Sequence, residues 1–439
     1  MNRFLKGYRW RILALLFFIT TVNYIDRQVI SFTVIDEGFQ RSIMNIPEGE
    51  PITEAHDKEF NVVKGWIDAS FKIAYALGFI LVGWFIDRIG TRKGFASAMT
   101  IWGVAAIGTG FVGSIGSLLS LRFLLGFGEA GNFPASIKTV AEWFPKKERS
   151  FATGIFNAGT NVGVIVTALL VPWIILSWGW EYSFIITGVI GMLLLYFWLK
   201  IYKRPEEHER ISPEELELIN SDADEKDNAD VTKVPWAKLF KYRQTWAFAA
   251  GKFMTDCVWW MFLFWLPSFF QDSQSLDQNL DLKSIGLPFI LIYLVSDVGS
   301  IFYGWLATRF IEKGWTVNKA RKMTMLICGI TVIPIFFASM TDSLVIAIAL
   351  IAIATSGHQG FSANLFCLVS DMFPKKAIAS VVGIGGVWGA IGGTALTAAT
   401  GYIVNAAGYL PIFIYASCAY LIALLLIHLL APKLERAKL

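Results

Sequence analysis

"GWFIDRIGTRKG", residues 83–94, joins two apolar runs through a turn that carries one acid and three bases. Gly83 permits close helix contact. Asp87 and Arg88 fall at the edge of the upstream run, Gly90 makes the turn, and Arg92 and Lys93 lead into the next run. Each flanking run is long enough to cross a bilayer as a helix. A short basic turn between two spanning helices is also what membrane charge asymmetry requires. Alone, the stretch reads as a tight turn; its surroundings extend that reading to the whole chain.

Apolar runs of span length occur at approximately 10–34, 62–86, 94–112, 117–142, 150–175, 181–201, 244–270, 285–309, 321–340, 343–371, 377–405 and 410–431. Only 16% of residues are charged and 55% are hydrophobic, too little polar surface for a water-soluble domain. Alternating ten-residue strand patterns, the mark of an outer-membrane barrel, are absent. The fold expected is an all-α polytopic membrane protein of twelve transmembrane helices. Lys and Arg crowd one set of loops: Arg3, Lys6 and Arg9; Arg88, Arg92 and Lys93; Lys146, Lys147 and Arg149; and, later, Arg321, Lys322, Lys375 and Lys376. The opposite loops, such as 177–180 and 272–283, are poor in them. The expectation is a multi-pass protein of the cell inner membrane with both termini cytoplasmic.

A polar stretch at 202–243 separates six spans in residues 1–201 from six in 244–439, which suggests two six-helix halves and an internal repeat. Within it, "SPEELELI" starts with Ser212, Pro213 and Glu215, predicting a capped short surface helix in a linker. A second long loop, 36–60, leaves on the outer side. No cleavable signal peptide is expected, since the first run is span-length and lacks a small-residue cleavage site. The four cysteines, Cys257, Cys328, Cys367 and Cys418, lie in apolar segments without CxxC spacing and read as packing residues. No P-loop, HExxH or Cys/His cluster is present, nor a nucleophile with its base. The reading is therefore not an enzyme, with no metal and no cofactor. Its partners are the bilayer, protons and a small organic anion, not nucleic acid, and a monomer is expected.

The loop pattern G-x3-D-R-x-G-x-R-K resembles the signature of the major facilitator superfamily. A weaker echo, "GWLATRFIEKG" at 304–314 followed by "ARK" at 320–322, lacks the acid at the Asp87 position. "NYIDR", "RFLLGFGEAGNFPAS", "EWFPKKERSFATGIFNAGTNVG" and "GHQGFSANLFCLVSDMFP" resemble the anion:cation symporter family, most of all its hexuronate branch. That family includes bacterial hexuronate and galactonate transporters and animal sialin. The resemblance covers nearly the whole chain, though the loop 36–60 is longer than the family usually has.

Charges at membrane depth are costly and usually line a pathway. Asp26 and Arg27 are adjacent, so their side chains diverge by roughly 100° and cannot pair with each other. Arg122 and Glu129 lie seven apart on one helical face, with Glu129 the deeper. Asp26 and Arg122 match in depth and sign and are expected to face each other. A static bridge is the structural alternative, but buried bridges add little stability. An arginine moving toward or away from a buried carboxylate switches its proton affinity. The resemblance implies that Asp26 and Glu129 titrate, and that Arg27, Tyr75 and Arg122 bind substrate or couple it to them. Tyr24, with a hydroxyl for a sugar or carboxylate, joins them as a candidate contact. So do Asn161, His358, Gln359 and Asn364; each of these could equally be a helix-bridging polar group. Trp259, Trp260, Trp265 and Trp388 could offer flat faces to a sugar ring. Gly83, Asp87, Arg88, Gly90 and Arg92 are expected to govern conformation.

The reading reached is a proton-coupled symporter importing a sugar acid, a hexuronate first, by alternating access. The alternatives are a same-fold carrier of another anion (an aldonate, a dicarboxylate or phosphate), a sodium-coupled carrier and a transporter-like nutrient sensor.

Overall fold

The computed structural model describes residues 7–437 except 48, 222–235 and 273–285. Arg3, Lys6 and nearly all of the 272–283 loop, used above for orientation, lie outside the described residues, as does the side chain of Trp265. Among the described residues there is no strand. The first half comprises α1 (Arg9–Thr33), α2 (Glu37–Met44), α3 (Glu54–Ile89), α4 (Thr91–Thr109), α5 (Ile115–Glu129), α6 (Asn132–Trp143), α7 (Lys146–Trp178) and α8 (Trp180–Ile201). Two short helices follow, α9 (Pro213–Asn220) and α10 (Trp236–Leu239). The second half comprises α11 (Arg243–Asp272), α12 (Gly286–Glu312), α13 (Val317–Val332), α14 (Leu344–Met372), α15 (Ile378–Ala407) and α16 (Leu410–Leu430).

Nine described helices are long and apolar enough to span a membrane outright. The fourth span is α5 and α6 in series, broken at Ala130–Gly131. With that pair, α4 and α11, the protein has twelve transmembrane segments in two six-helix halves. The ninth span ends in a 3-10 turn, Ile333–Ser339, which Pro334 favours by removing a helical N–H.

The stretch 36–60 is not an open loop. Asp36 caps α2 by accepting from the Phe39 N–H at 2.9 Å. The α2 face then buries Phe39 and Ile43 completely in an apolar cluster with Phe60, Leu118 and Trp180. The linker helix α9 starts as expected, with Ser212 accepting from the Glu215 N–H at 3.2 Å. The reciprocal half of the capping box is missing because the Glu215 carboxylate turns to α1. There it accepts from the Tyr8 N–H at 2.8 Å and the Arg9 guanidinium at 3.0 Å. Arg9 also meets Glu148 of α7 at 3.0 Å, so the linker is strapped to the first half. His208, whose imidazole pKa burial pushes below its ordinary value, lies tilted against the Tyr8 ring with centroids 4.1 Å apart.

The halves meet along α3 with α15 and α7 with α12. At the face carrying both chain ends they are latched. Asp87 accepts from the Ser380 N–H at 2.7 Å and the Ala379 N–H at 3.4 Å, at the start of α15, while Lys138 holds it from its own half at 2.7 Å. A carboxylate on exposed helix N–H groups also complements the helix dipole. The echo motif does this differently. Thr308, four residues after Gly304 as Asp87 is after Gly83, bonds only within its helix. Instead Arg321 crosses to the Lys146 carbonyl at 2.7 Å and to the Ser150 hydroxyl, paired meanwhile with Asp371 at 3.0 Å. Arg149 crosses the other way, to the Ser370 carbonyl at 2.7 Å. The segment "FPKK" precedes both receiving helices, at 144–147 and 373–376, which marks the internal repeat. The other motif residues stay within their half. Arg88 is exposed above Trp84, Gly90 joins α3 to α4 at φ +92°, and Arg92 donates to the Leu199 carbonyl of α8.

Asp87→Asn should keep the shape and lose the charge on the α15 N-terminus. A cap contact of this kind is worth about 1 kcal/mol, roughly fivefold in the balance between conformers. Transport rate should fall while substrate affinity holds, checked by comparing flux with binding on purified protein; equal losses in both would contradict it.

Gly83 is required by close approach. A Cβ there would lie 2.6 Å from the Ala379 carbonyl oxygen, and one on Gly304 2.5 Å from that of Ser150. Gly83→Val should therefore pry the latched face apart. Spin labels at Arg88 and Lys376 should report a longer separation than in the parent; an unchanged distance would mean the seam tolerates the side chain.

Candidate functional site

Between the halves lies a cavity of about 240 Å³. It reaches from Phe366 and Val382, above the latch, to Asp68 and Lys72, which are exposed at its outer rim. The cavity thus opens toward the face opposite the chain ends.

The first-half wall is built on Arg27. Its Nε donates to Glu129 Oε2 at 2.8 Å, and its guanidinium lies 4.4 Å from the Tyr24 ring centroid and 4.6 Å from that of Tyr75. Two aromatic faces and one carboxylate fix the plane of the fork. Glu129 is fully buried behind it, the last residue of α5 before the Ala130–Gly131 break. Arg122, two turns earlier on α5, lies over Phe71 at 4.9 Å and is 2% exposed. Its Nε and Nη1, like Nη2 of Arg27, make no hydrogen bond. Such buried donors are costly unless matched.

The expected Asp26–Arg122 pair does not form. Because α1 turns Arg27 toward α5, Asp26 points about a third of a turn away. It is 1% exposed beside Thr187 of α8 and near the indole nitrogen of Trp102, outside the cavity wall. Depth and sign matched, but helix rotation paired Glu129 with Arg27 instead.

In the second-half wall, His358 bonds the Tyr420 hydroxyl at 2.6 Å through Nδ1 and stacks flat on Trp259 at 4.6 Å. Gln359 accepts from Asn157 of α7 at 2.6 Å. Asn161 lines the cavity and donates to Asp297 of α12 at 2.8 Å. Asn364 does not reach the cavity. It lies two turns nearer the latch, accepting from Ser150 at 2.8 Å and donating to the Gly360 carbonyl, so it holds the seam and touches no ligand site.

Sequence reasoning missed Lys252 and Asp256, which both line the cavity and pair at 2.7 Å within α11, and Asp297. The rule that flagged Asp26, an ionisable residue inside an apolar run, points equally to all three. Among the described residues no group of three His, Cys, Asp or Glu side chains could hold a metal ion. The cavity is lined by Arg27, Lys72, Arg122 and Lys252 against Asp68 and Asp256. With Glu129 ionised behind Arg27 one positive charge is left over, and with Glu129 protonated two, so the cavity suits an anion.

The family model of the Major Facilitator Superfamily matches residues 16–397. The D-galactonate transporter of Escherichia coli O6:H1 is 31% identical, over 88% of this chain and 91% of that protein. The hexuronate transporter of Escherichia coli K12 is 28% identical over 94% and 91%. The probable galactarate/D-glucarate transporter GarP of the same strain is 27% identical over 98% and 96%. Among solved structures, the proton:xylose symporter XylE superposes with a TM-score of 0.73 at 15% identity, over 98% of this chain and 97% of that one. At that identity the likeness is one of fold.

Proposed function

Because the chain belongs to the major facilitator superfamily, and is a transporter rather than an enzyme, we propose that it imports a sugar acid, a hexuronate first, in symport with protons. One observation carries the reading: the mid-membrane cavity has an excess positive charge, and Arg27 and Arg122 in its wall keep unmatched donors. The carboxylate of a sugar acid takes those donors in charge-assisted hydrogen bonds, and Trp259 and Trp260 face its ring. The named transporters of galactonate, hexuronate and galactarate/D-glucarate support the same substrate class. No cofactor is needed, since the proton gradient supplies the work.

Coupling rests on Glu129. When it takes a proton, its attraction for Arg27 weakens and the guanidinium is released to the substrate. When substrate leaves, Arg27 returns and expels the proton. Asp26, packed away from the wall, is the second titrating group. The conformer described here is closed at the latched face. Alternating access then requires Asp87, Arg149 and Arg321 to leave their partners across the seam while the opposite face closes. With both chain ends in the cytoplasm of an inner-membrane monomer, the open cavity faces outward, the state that receives substrate for import.

The 31% identity to a D-galactonate transporter favours an aldonate as second reading. Uptake of labelled galacturonate into proteoliposomes, challenged by a panel of acids, tests both. Strongest competition by galacturonate and glucuronate supports a hexuronate carrier; strongest competition by galactonate supports the aldonate; no competition by any sugar acid defeats the proposal.

A further inference from the structure

Lys252, Asp256 and Trp260 follow one another at four-residue spacing, so they form one stripe of α11. All three line the cavity. The Lys252 and Asp256 side chains are only 10% and 14% exposed, with Nζ and Oδ1 2.7 Å apart. Lys252 also rests over the Phe366 ring at 4.8 Å. The helix α15 packs along this stripe and has glycine where the stripe is bulkiest. A Cβ on Gly389 would strike the Asp256 carboxylate, and one on Gly393 would lie 2.6 Å from the Trp260 ring. The glycines of "GIGGVWGAIGG", 383–393, thus make room for a charged pair at the cavity wall. Such a pair adds little stability, because desolvation offsets its attraction.

We propose that Lys252 and Asp256 form the second pole of the site, which reads the hydroxyl end of the substrate and excludes a second carboxylate. This rests on the sugar-acid reading above and narrows it to polyhydroxylated monoacids. A hydroxyl both donates and accepts, so one sugar hydroxyl can donate to Asp256 while a neighbour accepts from Lys252. A carboxylate only accepts. At this pole it can accept from Lys252 as a hydroxyl does, but it also meets the like charge of Asp256 and brings no proton to donate to it, whereas at the other pole it meets the unmatched donors of Arg27 and Arg122. Unlike-charge and hydroxyl contacts favour the monoacid, and like-charge repulsion rejects the diacid; specificity needs both.

The test is equilibrium binding of galacturonate and of galactarate, its dicarboxylate counterpart, to the purified full-length protein. The unaltered protein should prefer galacturonate. Asp256→Asn removes the repulsion and keeps the size, and should reduce that preference by about tenfold or more. The double variant Lys252→Gln/Asp256→Asn leaves no lone buried charge, so it guards against a folding defect, and it should also lose the preference. A preference for galactarate in the unaltered protein would overturn the inference, as would one for galacturonate that survives in both variants. Failure of the unaltered protein to bind either acid would instead strike the sugar-acid reading itself.

Discussion

Glu129→Gln protein should bind substrate yet fail to accumulate it. Glutamine keeps the length of the side chain, and its carbonyl oxygen can still accept from Arg27 Nε, the 2.8 Å contact of the parent. It cannot lose a proton, so it holds the site in the state that releases Arg27 to the anion. Affinity should be retained or raised. Proton-driven accumulation should disappear, because the empty carrier cannot return without deprotonation. Counterflow exchange needs only the loaded carrier and should partly survive. The pH dependence of binding should flatten too: in the parent, binding weakens as pH rises and Glu129 ionises onto Arg27, and the variant lacks that group. Undiminished accumulation with the parent's pH dependence would remove Glu129 from the coupling, leaving Asp26, Asp256 or Asp297 to carry the proton.

Arg27→Lys should cost roughly 10- to 100-fold in substrate affinity, the worth of one or two charge-assisted hydrogen bonds. The charge is preserved, but the geometry is not. Arginine lies over the Tyr24 and Tyr75 rings, donates its Nε–H to Glu129 and keeps Nη2 unmatched. An ammonium is a point charge without that fork, so it can satisfy Glu129 or the substrate but not both in plane. Thermal stability in detergent should change little, since the side chain faces a cavity. Parent-like affinity in a well-folded variant would show that Arg122 alone receives the carboxylate.

Much of this was legible in the sequence. Apolar run length places the twelve segments within about four residues at every end but one, because it follows from the bilayer's thickness; the exception is α3, which starts at Glu54, eight residues before the expected 62. Two irregular places escaped: the break at Ala130–Gly131 within a continuous apolar run, and the helix Glu37–Met44, whose face of Phe39 and Ile43 is too short to stand out from a loop. In the site, residue type and depth selected Tyr24, Arg27 and Arg122, and the family resemblance added Tyr75; all four line one cavity. Type and depth could not give the rotation of each helix about its axis. That rotation pairs Arg27 rather than Asp26 with α5, and puts Asn364 in the seam. Lys252, Asp256 and Asp297 stand in the sequence as charges in apolar runs just as Asp26 does, but no family motif contains them.

Proton movement with substrate is the most direct measurement. Purified protein in proteoliposomes carrying a trapped pH dye, with no sodium and no imposed pH gradient, is given external galacturonate. Symport predicts internal acidification that follows the substrate, is abolished in Glu129→Gln and collapses with a protonophore. Uptake of galacturonate without any internal acidification, or uptake that appears only when sodium is added, would contradict proton symport.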